Sequence, residues 1–301
     1  MSGRPKLVIT GAAGFTGRHA CQYFEKNGYE VIGITRNKAN DLKASKQIQC
    51  DLVNKEEVDD VIRTVCPDYV LHLAAQNHVG NSWVQPVQTV ETNALSTLYL
   101  VDAIRQVNPA CKMIITGSVL QFEPQNFETL PHPYSFSKTL QIMIAKAWLA
   151  LYQLNIIIAK PANLIGPGES NGVCAIFAKQ LVEIEKSEEE GILEVTNVHV
   201  RRDFLDVRDA VRGYGVLLER GKCGEEYEIV SGTSRSLGDI IHYLKRHTKA
   251  KFNVLTKSNT AGDIFTGNPD KLSALGWRPQ IALDESLADI LDYYRKIEKP
   301  V

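Results

Sequence analysis

Lys6-Leu7-Val8-Ile9-Thr10-Gly11-Ala12-Ala13-Gly14-Phe15-Thr16-Gly17 sets a short apolar run before three glycines, each three places after the last. A helix is predicted next, with Ala20, Cys21 and Phe24 on one side and Gly28 to stop it. Glu30 to Thr35 then reads as a strand. Strand, glycine turn, helix, strand is the opening unit of a dinucleotide-binding fold. Gly11 makes the tight turn, Gly14 lets a pyrophosphate approach the backbone, and Gly17 lets the helix pack close to the strand. Phe15 and Thr16 complete the turn, and the phosphates rest on the free N–H groups and positive dipole end of the helix. A glycine turn without a ligand is the plainer alternative, and the strand before and helix after weigh against it.

The second strand ends in Gly33-Ile34-Thr35-Arg36-Asn37-Lys38. An NAD site usually places Asp or Glu there for the ribose 2′-hydroxyl. Thr35 and Arg36 stand instead, and an arginine suits a 2′-phosphate. NADP(H) is therefore favoured, NAD(H) is the alternative, and a solvated surface arginine is the bland reading.

Gln47 to Leu52 reads as a third strand ending at Asp51-Leu52. Asn54 caps a helix with Glu57 at the capping-box position. Tyr69 to Ala75 is a strand running into Ala74-Ala75-Gln76, small residues against which a cofactor can lie. A helix from Asn93 to Val107, a strand from Lys112 to Thr116 closing on Gly117-Ser118, a helix from Tyr134 and a buried strand from Asn155 to Lys160 follow. This alternation predicts a parallel sheet covered on both faces. Asn163 to Gly168 is turn-rich and reads as a hinge. Beyond it come a helix from Val173, an acidic segment at Glu188-Glu189-Glu190, a strand at Leu193 to Val195, and a helix capped by Asp206. Glu226 to Val230 reads as a strand, and Ser236 to His247 and Asp284 to Ile297 as amphipathic helices.

Tyr134 and Lys138, four positions apart on one helix face, carry the chemistry. A phenol near pKa ~10 is a poor catalyst at neutral pH. An ammonium one turn away favours the phenolate, so the pair is expected to exchange a proton with a carbonyl or alcohol oxygen as hydride moves. Most Tyr-x-x-x-Lys pairs are ordinary surface residues, and only the surroundings of this one raise it above them.

The chain has 301 residues, 44% hydrophobic, with net charge −1. That suffices for a large core, and no basic run points to nucleic acid or an anionic membrane. No leader pattern and no apolar run of membrane-spanning length is seen. Six scattered cysteines read as buried, reduced thiols of a cytoplasmic protein, and the histidines lack metal-ligand spacing.

In order, the motifs are Gly11-x-x-Gly14-x-x-Gly17, Asp51-Leu52, His72-Leu73-Ala74-Ala75, Asn93, Gly117-Ser118, Tyr134-x-x-x-Lys138, Lys160-Pro161-x-Asn163 with Gly166-Pro167-Gly168, Arg202-Asp203-Phe204 and Asp206-Val207-x-Asp209. With them the chain resembles the extended short-chain dehydrogenases/reductases, the NAD-dependent epimerase/dehydratase family, over nearly its whole length. It looks most like the GDP-4-keto-6-deoxy-mannose reductase type, on Ala159 to Gly168, Phe177-Ala178-Lys179-Gln180 and Val200 to Asp209.

That resemblance implies an α/β protein. A Rossmann doubly wound parallel sheet would span 1–165, with about 203–230 returning to it. A smaller C-terminal α/β domain, 166–202 and 231–301, would take the nucleotide sugar. It implies a homodimer through the helices after Asn93 and Tyr134, and a place in deoxysugar and surface-polysaccharide synthesis. Ser118 would bond the reacting C4 oxygen, Tyr134 would be the general acid, and Lys138 would hold the nicotinamide ribose. Asp51 and Leu52 would contact the adenine. Leu73, Ala74, Ala75 and Pro161 would line the cofactor. Gln76, Asn163, Gln180 and Arg202 would touch the sugar nucleotide, with His78 and Ser82 as further pocket candidates. His132 reads as a turn residue.

The chain departs from its dehydratase relatives at Leu120, where they carry an acidic residue. A leucine cannot take the C5 proton, so dehydration is not expected. Lys257-Ser258-Asn259 replaces an Arg-Pro pair that grips the diphosphate, so GDP, dTDP, UDP and CDP sugars all stay open. Three functions follow: a reductase of a nucleotide-linked 4-keto-6-deoxyhexose, a nucleotide-sugar 4-epimerase with tightly held NAD, and a non-catalytic dinucleotide sensor.

Overall fold

The computed structural model describes residues 3–119, 122–187 and 189–297. Leu120 and Glu188 lie outside the described residues. The strands are β1 Lys6–Thr10, β2 Glu30–Thr35, β3 Lys46–Gln49, β4 Tyr69–His72, β5 Lys112–Thr116, β6 Ile156–Pro161, β7 Asn163–Ile165, β8 Gly191–Asn197, β9 Arg201–Asp206, β10 Glu226–Ile229, β11 Ser234–Ser236 and β12 Phe252–Ser258. The helices are α1 Phe15–Lys26, α2 Lys55–Val65, α3 Val79–Val84, α4 Pro86–Val90, α5 Ser96–Val107, α6 Pro133–Tyr152, α7 Val173–Ser187, α8 Val207–Arg220, α9 Leu237–His247, α10 Asp270–Ser273 and α11 Leu283–Ile297.

The chain divides into two compact units. The first takes Met1–Pro161, Val211–Glu228 and Ala274–Trp277. Its seven-stranded sheet runs β3-β2-β1-β4-β5-β6-β10. Every step from β3 to β6 is parallel. Strand order reverses between β1 and β4, where a doubly wound sheet opens its crevice. Alternate strand residues serve opposite faces. Val8, Ile32, Val70, Met113, Ile115 and Ile158 pack with Val58 and Ile62 of α2, Leu100 and Ile104 of α5, and Ala145 of α6. Leu7, Ile9, Leu71, Ile114 and Ile157, the alternating set, are also fully buried. Each such side chain contributes roughly 1.5–3 kcal/mol.

Asn54 caps α2 by accepting from the N–H groups of Glu56 and Glu57. The expected box is incomplete: the Glu57 carboxylate accepts from Asn54 Nδ2 and from the Asp51 N–H, while the Asn54 N–H donates to the Asp51 carbonyl. Cys66 and Cys223 are exposed, correcting the expectation of buried thiols at those two positions. Burial pushes the thiols of Cys21, Cys50 and Cys174 up to about 12.

The second unit takes Ala162–Ala210, Ile229–Ser273 and Arg278–Val301. Its three-stranded sheet runs β11-β9-β7, with β9 antiparallel to β11 and parallel to β7. A separate parallel pair joins β8 to β12. Phe177 and Leu181 of α7, Ile240 and Leu244 of α9, and Leu287 and Ile290 of α11 close one core over Phe204 and Leu193. The segment expected to be a hinge begins as β7, because Asn163–Ile165 pairs with Phe204–Asp206; its turn starts only at Gly166. Asp206 caps α8 by accepting from the Arg208 N–H at 2.8 Å.

Candidate active site

At the end of β1 the backbone of Gly11 turns with φ +65°. A Cβ there would stand 2.9 Å from the backbone N and Cα of Ala74, so only glycine lets the two loops meet. A Cβ on Gly17 would stand 2.1 Å from the Gly11 carbonyl oxygen. The N-cap of α1 is Gly14, which offers no side chain to the first-turn N–H groups. Beside this turn lies a cleft of about 480 Å³, whose lining includes Gly11, Gly14, Thr35 and Arg36. Arg36 is exposed; Arg18, also at the cleft, pairs with Asp41 at 2.6 Å. A glycine cradle, an uncapped helix start and a cationic rim fit a dinucleotide phosphate chain.

Beyond the turn the polar groups form one directed network. Thr97 Oγ1 donates to the Asn93 carbonyl at 2.8 Å, so it accepts from His72 Nε2–H at 2.9 Å. His72 Nδ1 is then the acceptor, taking the Thr10 hydroxyl proton at 2.7 Å. Thr10 Oγ1 in turn accepts the N–H groups of Leu73 and Ala74. Asn93 sits in a π-helical turn, Glu91–Leu95. Its amide clamps Gln76 through both backbone groups and donates to Ser137 Oγ, which donates to the Tyr134 carbonyl. The loop Leu73 to Gln76 and the start of α6 are thus held by one set of bonds. Burial, with Lys138 nearby, pushes the His72 imidazole down to about 3, so it stays neutral.

The cap of α6 is His132, whose Nδ1 accepts from the Ser135 N–H at 3.0 Å, and Pro133 opens the helix. Ser118, Tyr134 and Lys138 are buried together. The Ser118 side chain acts on the Tyr134 hydroxyl as a hydrogen-bonding influence that favours the phenolate. Lys138 Nζ donates to the Thr116 carbonyl at 2.6 Å and to Gln141 Oε1.

The expectation that the lysine acidifies the phenol is corrected in this state. Burial raises the Tyr134 pKa, and Ser118 is the influence that lowers it. Burial also lowers Lys138 to about 7, so at neutral pH its full ammonium charge is not maintained. Gln141 was not anticipated, although it stands three residues after Lys138 on the same helix face.

Because Lys138 is a base held neutral by burial, the unfolded chain binds more protons than the folded one between its ordinary 10.5 and about 7. Stability of the unliganded protein is therefore expected to rise from pH 7 to pH 9, by at most about 1.4 kcal/mol per pH unit. Urea unfolding measured across that range checks it, and Lys138→Met should flatten the rise.

Of the other predicted residues, Leu52 packs on the core beside α2, and the Asp51 carboxylate accepts from the Val53 N–H. Ala75 lies within the clamped loop, and half-buried Pro161 ends β6. Asn163 Nδ2 donates to the Asp203 carbonyl, placing it on the sheet that carries Arg202. Gln180 lies on α7, with its Oε1 buried and unpartnered among the described residues. Ser82 is buried, and His78 caps α3. No described helix is long and apolar enough to cross a membrane.

Residues 7–230 match the NAD dependent epimerase/dehydratase family, and the chain belongs to it. It is 26% identical to the GDP-6-deoxy-D-mannose reductase of Pseudomonas aeruginosa, over 95% of this chain and 96% of that one. It is 25% identical to the UDP-glucose 4-epimerase of Mycolicibacterium smegmatis, over 96% and 98%. The solved structure of RMD from Pseudomonas aeruginosa complexed with NADPH superposes with a TM-score of 0.83, at 26% identity, covering 97% of this chain and 99% of that one. The UDP-glucose 4-epimerase of Thermotoga maritima, solved with UDP-glucose, gives 0.85 at 25% identity, covering 98% and 100%.

Proposed function

We propose that the protein is an NADPH-dependent reductase of the C4 keto group of a nucleotide-linked 4-keto-6-deoxyhexose. The observation that carries this is the burial of Ser118, Tyr134 and Lys138, with Ser118 acting on the phenol and Lys138 one helical turn on, in the unit that holds the glycine cradle. When bound, the dinucleotide supplies the hydride. Tyr134 Oη donates its proton to the substrate's C4 oxygen, and Ser118 Oγ donates a hydrogen bond that steadies the charge growing there. Burial keeps the phenol protonated, the form that acts as the general acid in carbonyl reduction. Lys138, released from Gln141, is the group for the nicotinamide ribose. The first unit takes the dinucleotide and the second the nucleotide sugar, with Asn163, Gln180 and Arg202 as its contacts. The exposed Met143 and Leu151 of α6 favour a homodimer through that helix. A cytoplasmic place in surface-polysaccharide synthesis fits a dinucleotide-driven sugar reduction.

The test is NADPH oxidation followed at 340 nm with GDP-4-keto-6-deoxymannose and its dTDP, UDP and CDP counterparts. One NADPH consumed per keto sugar is expected. Bound NAD in the purified protein, with interconversion of C4 epimers and no net absorbance change, would instead make it an epimerase. Dinucleotide binding with no turnover of any sugar would make it a sensor. Arg36 bears on the choice of cofactor. Arg36→Ala is expected to raise the KM for NADPH about tenfold and leave that for NADH unchanged, as loss of a charge-assisted phosphate contact requires.

A further inference from the structure

Lys138 reaches two oxygens from one buried position. Its Nζ donates to the Thr116 carbonyl at 2.6 Å and to Gln141 Oε1. The two acceptors differ in kind. Thr116 ends β5, which lies between β4 and β6, and its hydroxyl donates to the His72 carbonyl at 2.7 Å, so its position is fixed by the sheet. Gln141 is a side chain on α6, the helix that carries Lys138, and its bond to the amine breaks without moving the sheet. Along the helix axis Tyr134 stands about 6 Å from Lys138 toward the N-terminus, and Gln141 about 4.5 Å toward the C-terminus. Gln141 therefore holds the amine from the side away from the phenol.

The amide of Gln141 is only half satisfied. The residue is fully buried, and its Nε2 has no hydrogen-bond partner among the described residues. An unpaired buried donor destabilises a fold, and an apolar side chain of the same size avoids that penalty. Packing alone does not account for an amide here, whereas its bond to Lys138 does. When that bond breaks, both ends of the amide are left unpaired, so the resting protein favours keeping it.

We propose that Gln141 is a positioning residue that competes with the bound dinucleotide for Lys138. In the unliganded protein Gln141 keeps the amine. A ribose hydroxyl takes the amine over on binding, and affinity is lowered by the strength of the bond given up. This role rests on the proposed contact of Lys138 with the nicotinamide ribose and on no property of the sugar substrate. A latch of this kind speeds release of the spent dinucleotide, which stoichiometric use of NADPH requires after each turnover.

Fluorescence titration of the full chain with NADPH and with NADH tests this. Gln141→Met and Gln141→Leu remove the competing oxygen with little change in volume, and each should tighten both dinucleotides about fivefold, the fold-change of one hydrogen bond. Gln141→Glu offers the ammonium a carboxylate and should weaken both about tenfold. In a Lys138→Met background, Gln141→Met should change neither affinity. A merely structural glutamine predicts lower melting temperatures with weaker or unchanged binding in all three single variants, and that result overturns the latch. So does tightening that persists without Lys138. Wild-type NADPH affinity in Lys138→Met would overturn the ribose contact and the latch together. The expected affinities in a protein that turns over no keto sugar would refute the proposed reaction and leave the role of Gln141 standing.

Discussion

Tyr134→Phe is expected to lower kcat about a thousandfold, the scale of a lost general acid, while dinucleotide affinity changes less than about twofold. The substitution removes one oxygen and retains the ring. That ring is buried and packs near His132, with centroids 5.9 Å apart, and α6 keeps its cap. Loss of one neutral hydrogen-bonding group costs about 1 kcal/mol of stability, too little to unfold the chain. Any large effect must then come from the missing proton. Single-turnover NADPH oxidation with the keto sugar, beside a fluorescence titration of NADPH, separates the two quantities. A kcat within tenfold of wild type would remove Tyr134 from the reaction. Ser118→Ala should cost less, because it steadies the oxygen without supplying its proton.

Gly17→Ala is expected to cost about 3 kcal/mol of stability or more, and to weaken dinucleotide binding about a hundredfold. The added methyl would stand 2.1 Å from the Gly11 carbonyl oxygen and 2.7 Å from Ala12 Cα. Both are backbone atoms, so no side-chain rotation relieves the clash. Either α1 moves off the sheet or the Gly11 turn opens, and each change spoils the cradle. Gly28→Ala is the control: its φ is +86° but a Cβ there meets nothing within 4 Å, so the cost should be about 1 kcal/mol with binding intact. Denaturant midpoints and NADPH titrations on both variants decide it. Equal losses at both positions would mean that close packing at Gly17 is not what holds the turn.

The first unit was legible because its signals are local. The apolar runs of β1, β4, β5 and β6 are buried on both faces, and glycine, serine or small residues mark their ends. The Tyr134–Lys138 spacing was equally plain. What the pair does to its own acidity was not, because burial is set by strands and helices far apart in sequence. The Thr10–His72–Thr97 bonds were hidden for the same reason, as they join residues 62 and 25 positions apart. In the second unit β12 gave no strand signal, since after Phe252 its residues are largely exposed and alternate poorly. Pairing with β8 makes it a strand, and that partner lies some sixty residues upstream. β7 is three residues long and is defined only by contact with β9.

The sheet order has a consequence for how the molecule is made. The outermost strand, β10, docks beside β6, yet the chain between them belongs largely to the other unit. While a ribosome is still extending the chain, β6 is an open edge with unpaired amides and carbonyls, and Lys160 and Lys146 await Glu226. A nascent chain halted before Glu226 should therefore be sticky and protease-sensitive, and release from the tunnel past that residue should mark the onset of protection. Cutting the gene at Pro161 to obtain an independent cofactor module would fix the polypeptide in that unfinished condition.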